Sequence, residues 1–176
     1  MRKYLLSLAF AISLLPFASA GAEQNMQEII MDAQYKAAVR FQVPVELLNA
    51  IKQVESNGHP WALCVNLGNG KSIPVYPATY YEAVQYLSRL NTDNIDVGPW
   101  QVNYHYIGKR LGVTKIQMLD PYVSSLLAAY KLSSEIAASG YTWHAVGNYH
   151  SYNLLRKIKY VTSVKKQLAK DGYEVQ

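Results

Sequence analysis

The chain has 176 residues and a mass of 19.8 kDa, and 50% of its residues are apolar, which suits one compact domain and leaves little room for two. The apolar fraction and the mean hydropathy of -0.08 argue against a disordered chain. One cysteine and four histidines exclude a disulfide scaffold and a cysteine-rich zinc module. The net charge of +5 raises nucleic acid or an anionic surface as a partner.

The first 20 residues are predicted to be a secretory signal peptide. Arg2 and Lys3 form a positive start, an apolar run follows over 5–15, and Ala18-Ser19-Ala20 provides small residues for a signal peptidase. A spanning helix is the alternative, but the run is shorter than the roughly 20 apolar residues that a membrane crossing needs. We therefore predict cleavage after Ala20, a single domain over 21–176, a periplasmic or secreted location and no stable membrane anchor.

Export changes the meaning of the charge. Removal of Arg2 and Lys3 lowers the net charge from +5 to +3, and the remaining excess lies from Arg156 onward, where six basic residues stand against two acidic ones. The favoured interpretation of this segment is a helix face exposed to solvent. Contact with an anionic envelope polymer or a secretion partner is the next interpretation, and contact with DNA is the least favoured. Since the chain has no recognised nucleic-acid motif, we predict no nucleic-acid partner.

Periodicity and capping signals predict a mainly α fold with one small β-hairpin. In chain order, the predicted helices cover about 26–41, 44–56, 80–90, 102–111, 121–139 and 152–170. The hairpin is predicted over 61–76 because Gly68-Asn69-Gly70 is a turn signal between two short apolar runs, and 91–100 is predicted to be a loop.

Export also places Cys64 in an oxidising compartment, with no second cysteine in the chain to pair with. The surrounding apolar run over 61–65 predicts a buried and inert thiol. A catalytic thiol is disfavoured because no neighbouring motif supplies an activating base.

Glu55 is the first candidate for chemistry. It lies four residues after Ile51 and seven after Leu48, which places its carboxyl at the border of an apolar stripe in the last turn of a helix. Burial and the negative end of the helix dipole both favour the protonated form, which suits a general acid. The alternative is a surface glutamate that only borders the core, and position alone favours that alternative.

Three separated segments add to Glu55. They are Glu55-Ser56-Asn57, the run D-V-G-P-W-Q-V-N over 96–103, and the run A-V-G-N-Y-H-S over 145–151. In this order and spacing they resemble the lytic transglycosylases with the goose-type lysozyme-like (SLT) fold. The resemblance is closest to the small exported members that accompany conjugation, type IV secretion and pilus systems. It covers about 35–155, and it depends on all three segments together.

The resemblance implies a role for each matched residue and no metal or cofactor. Glu55 corresponds to the single catalytic acid and base, and Ser56 to the serine that helps to hold the acid and the reacting sugar. Gly98 and Gln101 correspond to the glycine and glutamine of the segment G-L-M-Q, where the glutamine contacts the substrate. Tyr149 corresponds to the tyrosine whose hydroxyl lies near the catalytic carboxyl. Without the family, Gln101 would be read as a polar residue at a helix start and Tyr149 as a core aromatic.

The chain departs from the family pattern at two places. Pro99-Trp100 replaces Leu-Met, and an indole there could stack on a sugar face. His150 stands where asparagine is commonest, and we expect it to make one structural hydrogen bond rather than to act in catalysis. Four tyrosines beside the motifs are candidates for packing on sugars: Tyr104, Tyr106, Tyr149 and Tyr152.

The number of carboxylates separates two possible reactions. A glycosidase that uses water ordinarily needs two, and the motifs supply only Glu55. The resemblance therefore implies a peptidoglycan lytic transglycosylase, which forms a 1,6-anhydromuramic end and opens the cell wall locally for an envelope-spanning machine. A hydrolytic muramidase stays open as an alternative, with Asp96, Asp93 or Glu82 as the second carboxylate, although Asp96 is read as a loop or cap residue. The other alternative is an inactive peptidoglycan-binding assembly subunit.

Overall fold

The computed structural model describes residues 17–175, with side chains from residue 25 onward. Most of the predicted signal peptide, residues 1–16, lies outside the described residues. In chain order the helices are α1 (Phe17–Phe41), α2 (Val45–Ser56), α3 (Tyr80–Arg89), α4 (Pro121–Ser139), α5 (Trp143–His150) and α6 (Leu154–Lys170). The strands are β1 (Leu63–Gly68), β2 (Lys71–Val75), β3 (Ile95–Val97) and β4 (Val102–Asn103). The predicted mainly α fold with a small β excursion is confirmed.

Local signals explain where several helices begin. The side chain of Thr79 accepts a hydrogen bond from the Glu82 amide, and the Glu82 carboxylate accepts one from the Ala78 amide, which is the reciprocal cap that the sequence predicts. The Asp120 side chain caps α4 by accepting hydrogen bonds from the Tyr122 and Val123 amides, and Pro121 takes the first helical position, where its missing N–H costs nothing. α1 extends further toward the N-terminus than predicted and spans the predicted cleavage position after Ala20.

Three predictions of secondary structure are corrected. The segment over 102–111 is not one helix, because Val102–Asn103 pairs with β3, and a π-helical turn (Tyr104–Gly108) and a 3-10 turn (Lys109–Leu111) follow. The predicted loop over 91–100 contains β3, so the hairpin is part of a four-stranded antiparallel sheet in the order β2-β1-β3-β4. Helix α5, which Thr142 caps, is absent from the prediction.

The sheet has one apolar and one polar face. In the pairing of β1 with β3, Leu63 lies opposite Val97 and Val65 lies opposite Ile95, and all four side chains are buried in the core. Because side chains alternate along a strand, the intervening positions point to the other face. These positions are Cys64, Asn66, Asp96 and Asn103. The polar face is therefore turned away from the core.

The helices pack around the apolar face of this sheet. On α1, Ile30, Ala33 and Ala37 are fully buried at helical spacing, and the Ser125 hydroxyl of α4 donates to the Ala33 carbonyl at 3.0 Å. Small residues at this crossing let α1 and α4 approach closely. α2 packs on α6, which brings the end of α2 next to the second half of the chain.

Candidate active site

Glu55 lies in the last turn of α2, and its side chain is 12% exposed. Ile51 and Leu48, one and two turns earlier, are fully buried, so the carboxyl stands at the border of the core as the helical spacing predicts. The helix ends at Asn57, which adopts the left-handed conformation. Beside Glu55 a cavity of about 510 Å³ opens, with Gln53 and Tyr76 among its lining residues.

Two of the matched side chains hold the loop over 98–101, which joins β3 to β4. The Ser56 hydroxyl donates to the Pro99 carbonyl at 2.7 Å, and the Tyr149 hydroxyl donates to the Trp100 carbonyl at 2.9 Å. Both side chains are buried. Their hydroxyl protons are directed at the loop, so Ser56 ties it to the C-terminal end of α2 and Tyr149 ties it to α5.

Gln101 completes this arrangement. Its side-chain amide donates to the Gly98 carbonyl at 2.8 Å and to the Ala62 carbonyl at 3.0 Å. Together with Ser56 and Tyr149, it occupies three consecutive loop carbonyls, and we call these three side chains the loop clamp. Gln101 itself has a φ of 47°, a left-handed conformation that costs a non-glycine residue of order 1 kcal/mol or more. The clamp therefore maintains a strained turn.

Gly98 lies at a position where neighbouring atoms leave no room for a side chain. Its φ is +80°, and a Cβ there would lie 2.5 Å from the Ser124 hydroxyl oxygen and 3.3 Å from the Met118 carbonyl oxygen. The Gly98 amide donates to the Ala62 carbonyl at 2.8 Å. Glycine is required because the loop turns in a left-handed conformation directly against the start of α4.

Trp100 does not face the cleft. Its side chain is fully buried, and its indole N–H donates to the Leu48 carbonyl at 2.9 Å. The suggestion that this indole stacks on a sugar is wrong, because the core beneath α2 encloses the ring. Tyr149 is also excluded as a sugar platform, since only 1% of it is exposed. Of the other candidates, Tyr106 and Tyr152 are exposed and Tyr104 is partly buried.

His150 lies directly beside Glu55. Its Nδ1 is 3.5 Å from Oε1 of Glu55, and its ring stacks on Tyr160 with a centroid distance of 4.6 Å and an interplanar angle of 8°. The position that departs from the family pattern therefore faces the candidate acid. The sequence predicts only one structural hydrogen bond for His150 and does not indicate this partner.

Tyr160 of α6 is a further neighbour that sequence reasoning missed. Burial raises the pKa of its hydroxyl well above the usual range, and the nearby Glu55 carboxyl adds to the shift. Among the described residues the hydroxyl interacts with the Glu55 carboxyl, without the geometry of a full hydrogen bond. Its helical spacing to Val164 and Leu168 indicates burial, and the stacking on His150 appears only in the fold.

Asp96 stands on the polar face of the sheet. Its two carboxylate oxygens accept hydrogen bonds from the side-chain amides of Asn66 and Asn103, each at 2.8 Å. Burial raises the pKa of Asp96, the two amides oppose this shift, and the Glu55 carboxyl adds to it. The interpretation of Asp96 as a loop or cap residue is wrong, because β3 carries it. The alternation of Ile95, Asp96 and Val97 was a signal for this position.

Lys131 of α4 supplies a cation near both carboxyls. Its ammonium lies 4.3 Å from the centroid of the Tyr149 ring. Burial lowers the pKa of Lys131, while the negative charges of Glu55 and Asp96 oppose that shift. The electrostatic environment of Glu55 thus includes a second carboxyl and an ammonium.

Cys64 is partly exposed on the same face of the sheet, so the prediction of a buried thiol is wrong. It pairs with Asp96 across β1 and β3, and burial, with a hydrogen bond from Ser72 opposing, raises its pKa. A raised pKa keeps the thiol protonated and unreactive. Among the residues that the structure describes, no group of three His, Cys, Asp or Glu side chains could hold a metal ion, and no helix is long and apolar enough to span a membrane.

Comparisons with known proteins point to one family. Residues 32–170 match the family model of the transglycosylase SLT domain. The chain is also 27% identical over 146 residues to the invasion protein IagB of Salmonella typhimurium, in strains SL1344 and LT2, which covers 81% of this chain and 74% of the relative. No solved structure gives a significant match.

Proposed function

The chain belongs to the transglycosylase SLT domain family, whose members act on peptidoglycan, and from this premise we propose that Glu55 is its catalytic acid and base. The proposed reaction cleaves the β-1,4 bond between N-acetylmuramic acid and N-acetylglucosamine and leaves a 1,6-anhydromuramic end. The position of Glu55 supports it most strongly. This carboxyl is largely buried, borders a cavity of about 510 Å³ and stands where the three motif segments meet.

In the first step the protonated Glu55 carboxyl transfers its proton to the glycosidic oxygen as the bond to C1 of the muramic sugar breaks. The carboxylate that forms lies 3.5 Å from Nδ1 of His150, a ring nitrogen that stabilises it when it carries a proton.

In the second step the Glu55 carboxylate accepts the proton of the muramic C6 hydroxyl, and the C6 oxygen forms a bond to C1. No water is consumed, and the carboxyl returns to its protonated form. One carboxylate is sufficient because the nucleophile belongs to the same sugar, and intramolecular nucleophiles reach effective concentrations of about 10⁵–10⁸ M.

The loop clamp supports this chemistry by position. Ser56, Gln101 and Tyr149 hold the loop over 98–101 against the helix that carries Glu55. We propose that they set the distance between the acid and the substrate, and that Gly98 allows the turn which makes this possible.

Asp96 favours a second candidate function, hydrolysis. A water-using glycosidase needs a second carboxylate, and Asp96 is fixed by two amides and interacts electrostatically with Glu55. If Asp96 activates water, the product carries a reducing end instead of an anhydro end.

We further propose that the protein is exported by cleavage after Ala20 and that it opens peptidoglycan for a secretion, conjugation or pilus machine. The N-terminal charge and apolar run support export. The resemblance of the three motif segments to the small exported family members that accompany such machines supports this role.

A peptidoglycan zymogram tests the role of Glu55. The wild-type protein is expected to clear the gel and Glu55→Gln is expected not to. Glu28→Gln makes the same change at an exposed residue of α1 and should clear like the wild type. Equal clearing by Glu55→Gln would reject the assignment.

Mass spectrometry of the soluble products separates the two reactions. An anhydro end is lighter than a reducing end by one water, and we expect the lighter product from both the wild type and Asp96→Asn. Reducing ends that disappear in Asp96→Asn would establish hydrolysis instead.

A further inference from the structure

Helix α6 has an inner face that fixes its orientation. Tyr160, Val164 and Leu168 are buried at helical spacing, and Lys157 is buried beside them. Because these side chains anchor the helix to the domain, α6 cannot rotate to hide its opposite face. The residues on that opposite face are therefore permanently presented to the surroundings.

The first two turns of α6 carry large aliphatic side chains, with Leu155 opposite the inner face and Leu154 and Ile158 along one flank. Leu154, Leu155 and Ile158 are 66%, 71% and 54% exposed, and Tyr152 just before the helix is 74% exposed. These four residues are named the α6 patch. Single exposed apolar residues are ordinary, but adjacent ones at one place mark an interaction site.

Exposed basic side chains lie beside the α6 patch and continue along α6 beyond it. No acidic residue occurs anywhere in α6, and four of its bases are exposed, a set that we call the basic rim: Arg156, Lys159, Lys166 and Lys170. Within the described part of the chain, no carboxylate lies within 4.0 Å of these four side chains. Their charge is available to an anionic partner.

A second stripe of exposed apolar residues, on α1, lacks the excess of basic side chains that accompanies the α6 patch. On α1, Met31, Tyr35 and Val39 are 57%, 60% and 62% exposed. Here Asp32 and Lys36 form an ion pair of 2.7 Å between the apolar residues, so the local charges cancel. The two stripes are similar in exposure and differ in charge.

We propose that the α6 patch docks on a bilayer surface that contains anionic lipids. Protruding leucine and isoleucine side chains fit the boundary between headgroups and acyl chains, and the basic rim fits the anionic headgroups. A soluble anionic polymer would use the bases but gives no reason for the exposed aliphatic chains. A protein partner is the other occupant that such a patch could take, and failure of the wild-type protein to bind anionic vesicles would favour it.

The patch lies close to the candidate active site. The Arg156 guanidinium lies over the hairpin turn, since a Cβ at Gly70 would be 2.6 Å from its Nη2 atom. Tyr160, one turn after Arg156 on the same helix, lies beside Glu55. Docking through α6 would therefore hold the cleft at a fixed distance from the membrane surface, and the docking itself does not depend on the proposed reaction.

Vesicle co-sedimentation tests the proposal. The exported protein, with one common N-terminus in all variants, is mixed with vesicles of phosphatidylcholine alone or of phosphatidylcholine with phosphatidylglycerol. We expect binding to the mixed vesicles that weakens as sodium chloride is added. Leu155→Ser with Ile158→Ser should weaken this binding by at least about tenfold, because two inserted aliphatic chains are lost. Lys159→Glu with Lys166→Glu should remove the preference for phosphatidylglycerol.

Met31→Ser with Val39→Ser is the matched control and should bind like the wild type. Circular dichroism checks that every variant is folded, and peptidoglycan clearing in solution should be unchanged in all of them. The proposal is overturned if the wild type does not bind the mixed vesicles, if the α6 variants bind normally, or if the control loses as much binding. If the wild-type protein does not clear peptidoglycan, the proposed reaction is rejected. The vesicle-binding result stays valid, because it does not depend on that reaction.

Discussion

Two groups of polar side chains meet at the C-terminal end of α2, and they differ in what their polar atoms contact. In the loop clamp, Ser56, Gln101 and Tyr149 direct their donors at backbone carbonyls, and no donor of the clamp is left for a substrate in the observed geometry. Glu55 and His150 border open space and face each other instead. The residues that the family resemblance groups together thus divide into Glu55, the proposed acid, and several residues that hold the loop over 98–101 in place.

The largest expected effect is on turnover. Glu55→Gln should lower the rate of peptidoglycan cleavage by about 10²–10⁴-fold, the usual contribution of a general acid, and should leave the free energy of unfolding nearly unchanged. Turnover of a soluble glycan substrate and urea unfolding measure the two quantities. A large loss of stability would place Glu55 with the clamp instead of the reaction.

The next effect is on the loop itself. Gly98→Ala should destabilise the fold by about 2–4 kcal/mol, because it adds a collision with Ser124 and Met118 to the cost of a positive φ. Gly112→Ala is the control for φ alone. Its φ is +73° and nothing lies within 4 Å of the added Cβ, so about 1 kcal/mol is expected. Equal losses in the two variants would show that the contact with α4 is unimportant.

A comparison of two buried tyrosines, Tyr149 and Tyr160, measures how much one hydrogen bond of the loop clamp contributes to stability. Tyr149→Phe removes the donor to the Trp100 carbonyl and leaves that buried acceptor unpaired, so we expect a loss of about 1–3 kcal/mol. Tyr160→Phe removes a hydroxyl without a hydrogen bond of good geometry and should cost less than about 0.5 kcal/mol. Thermal unfolding of both variants checks the difference, and a reversed order would contradict the assigned bond.

The smallest effect concerns pH. Because the pKa of Asp96 is raised in the folded protein, the folded state binds this proton more tightly than the unfolded state. The associated stabilisation is fully present below the unfolded pKa of about 3.9 and is lost as pH rises through the folded value. The unfolding free energy of the wild type relative to Asp96→Asn should therefore increase from neutral pH toward pH 4. A constant difference over that range would show that Asp96 is not perturbed.

The helical part of the fold was predictable because its signals are local. Thr79 with Glu82 and Asp120 with Pro121 identify helix starts through contacts that lie within a few residues. The short strands β3 and β4 were not predictable in this way, since three and two residues form strands only when a partner supplies the ladder hydrogen bonds. Helix α5 is absent from the sequence prediction although Thr142 caps it. Its eight residues are too few to show a clear helical periodicity.

In the candidate site, too, the features that depend on local sequence were predictable and those that depend on distant contacts were not. The amino-acid sequence by itself determined that Glu55 stands at the end of a helix on the border of the core, because helical periodicity is a property of neighbouring residues. Only the tertiary structure decided that Trp100 is buried, that Asp96 faces outward from a sheet and that His150 lies against Glu55. Each of these facts depends on contacts between residues at least 30 positions apart, and such contacts follow from packing rather than from local sequence.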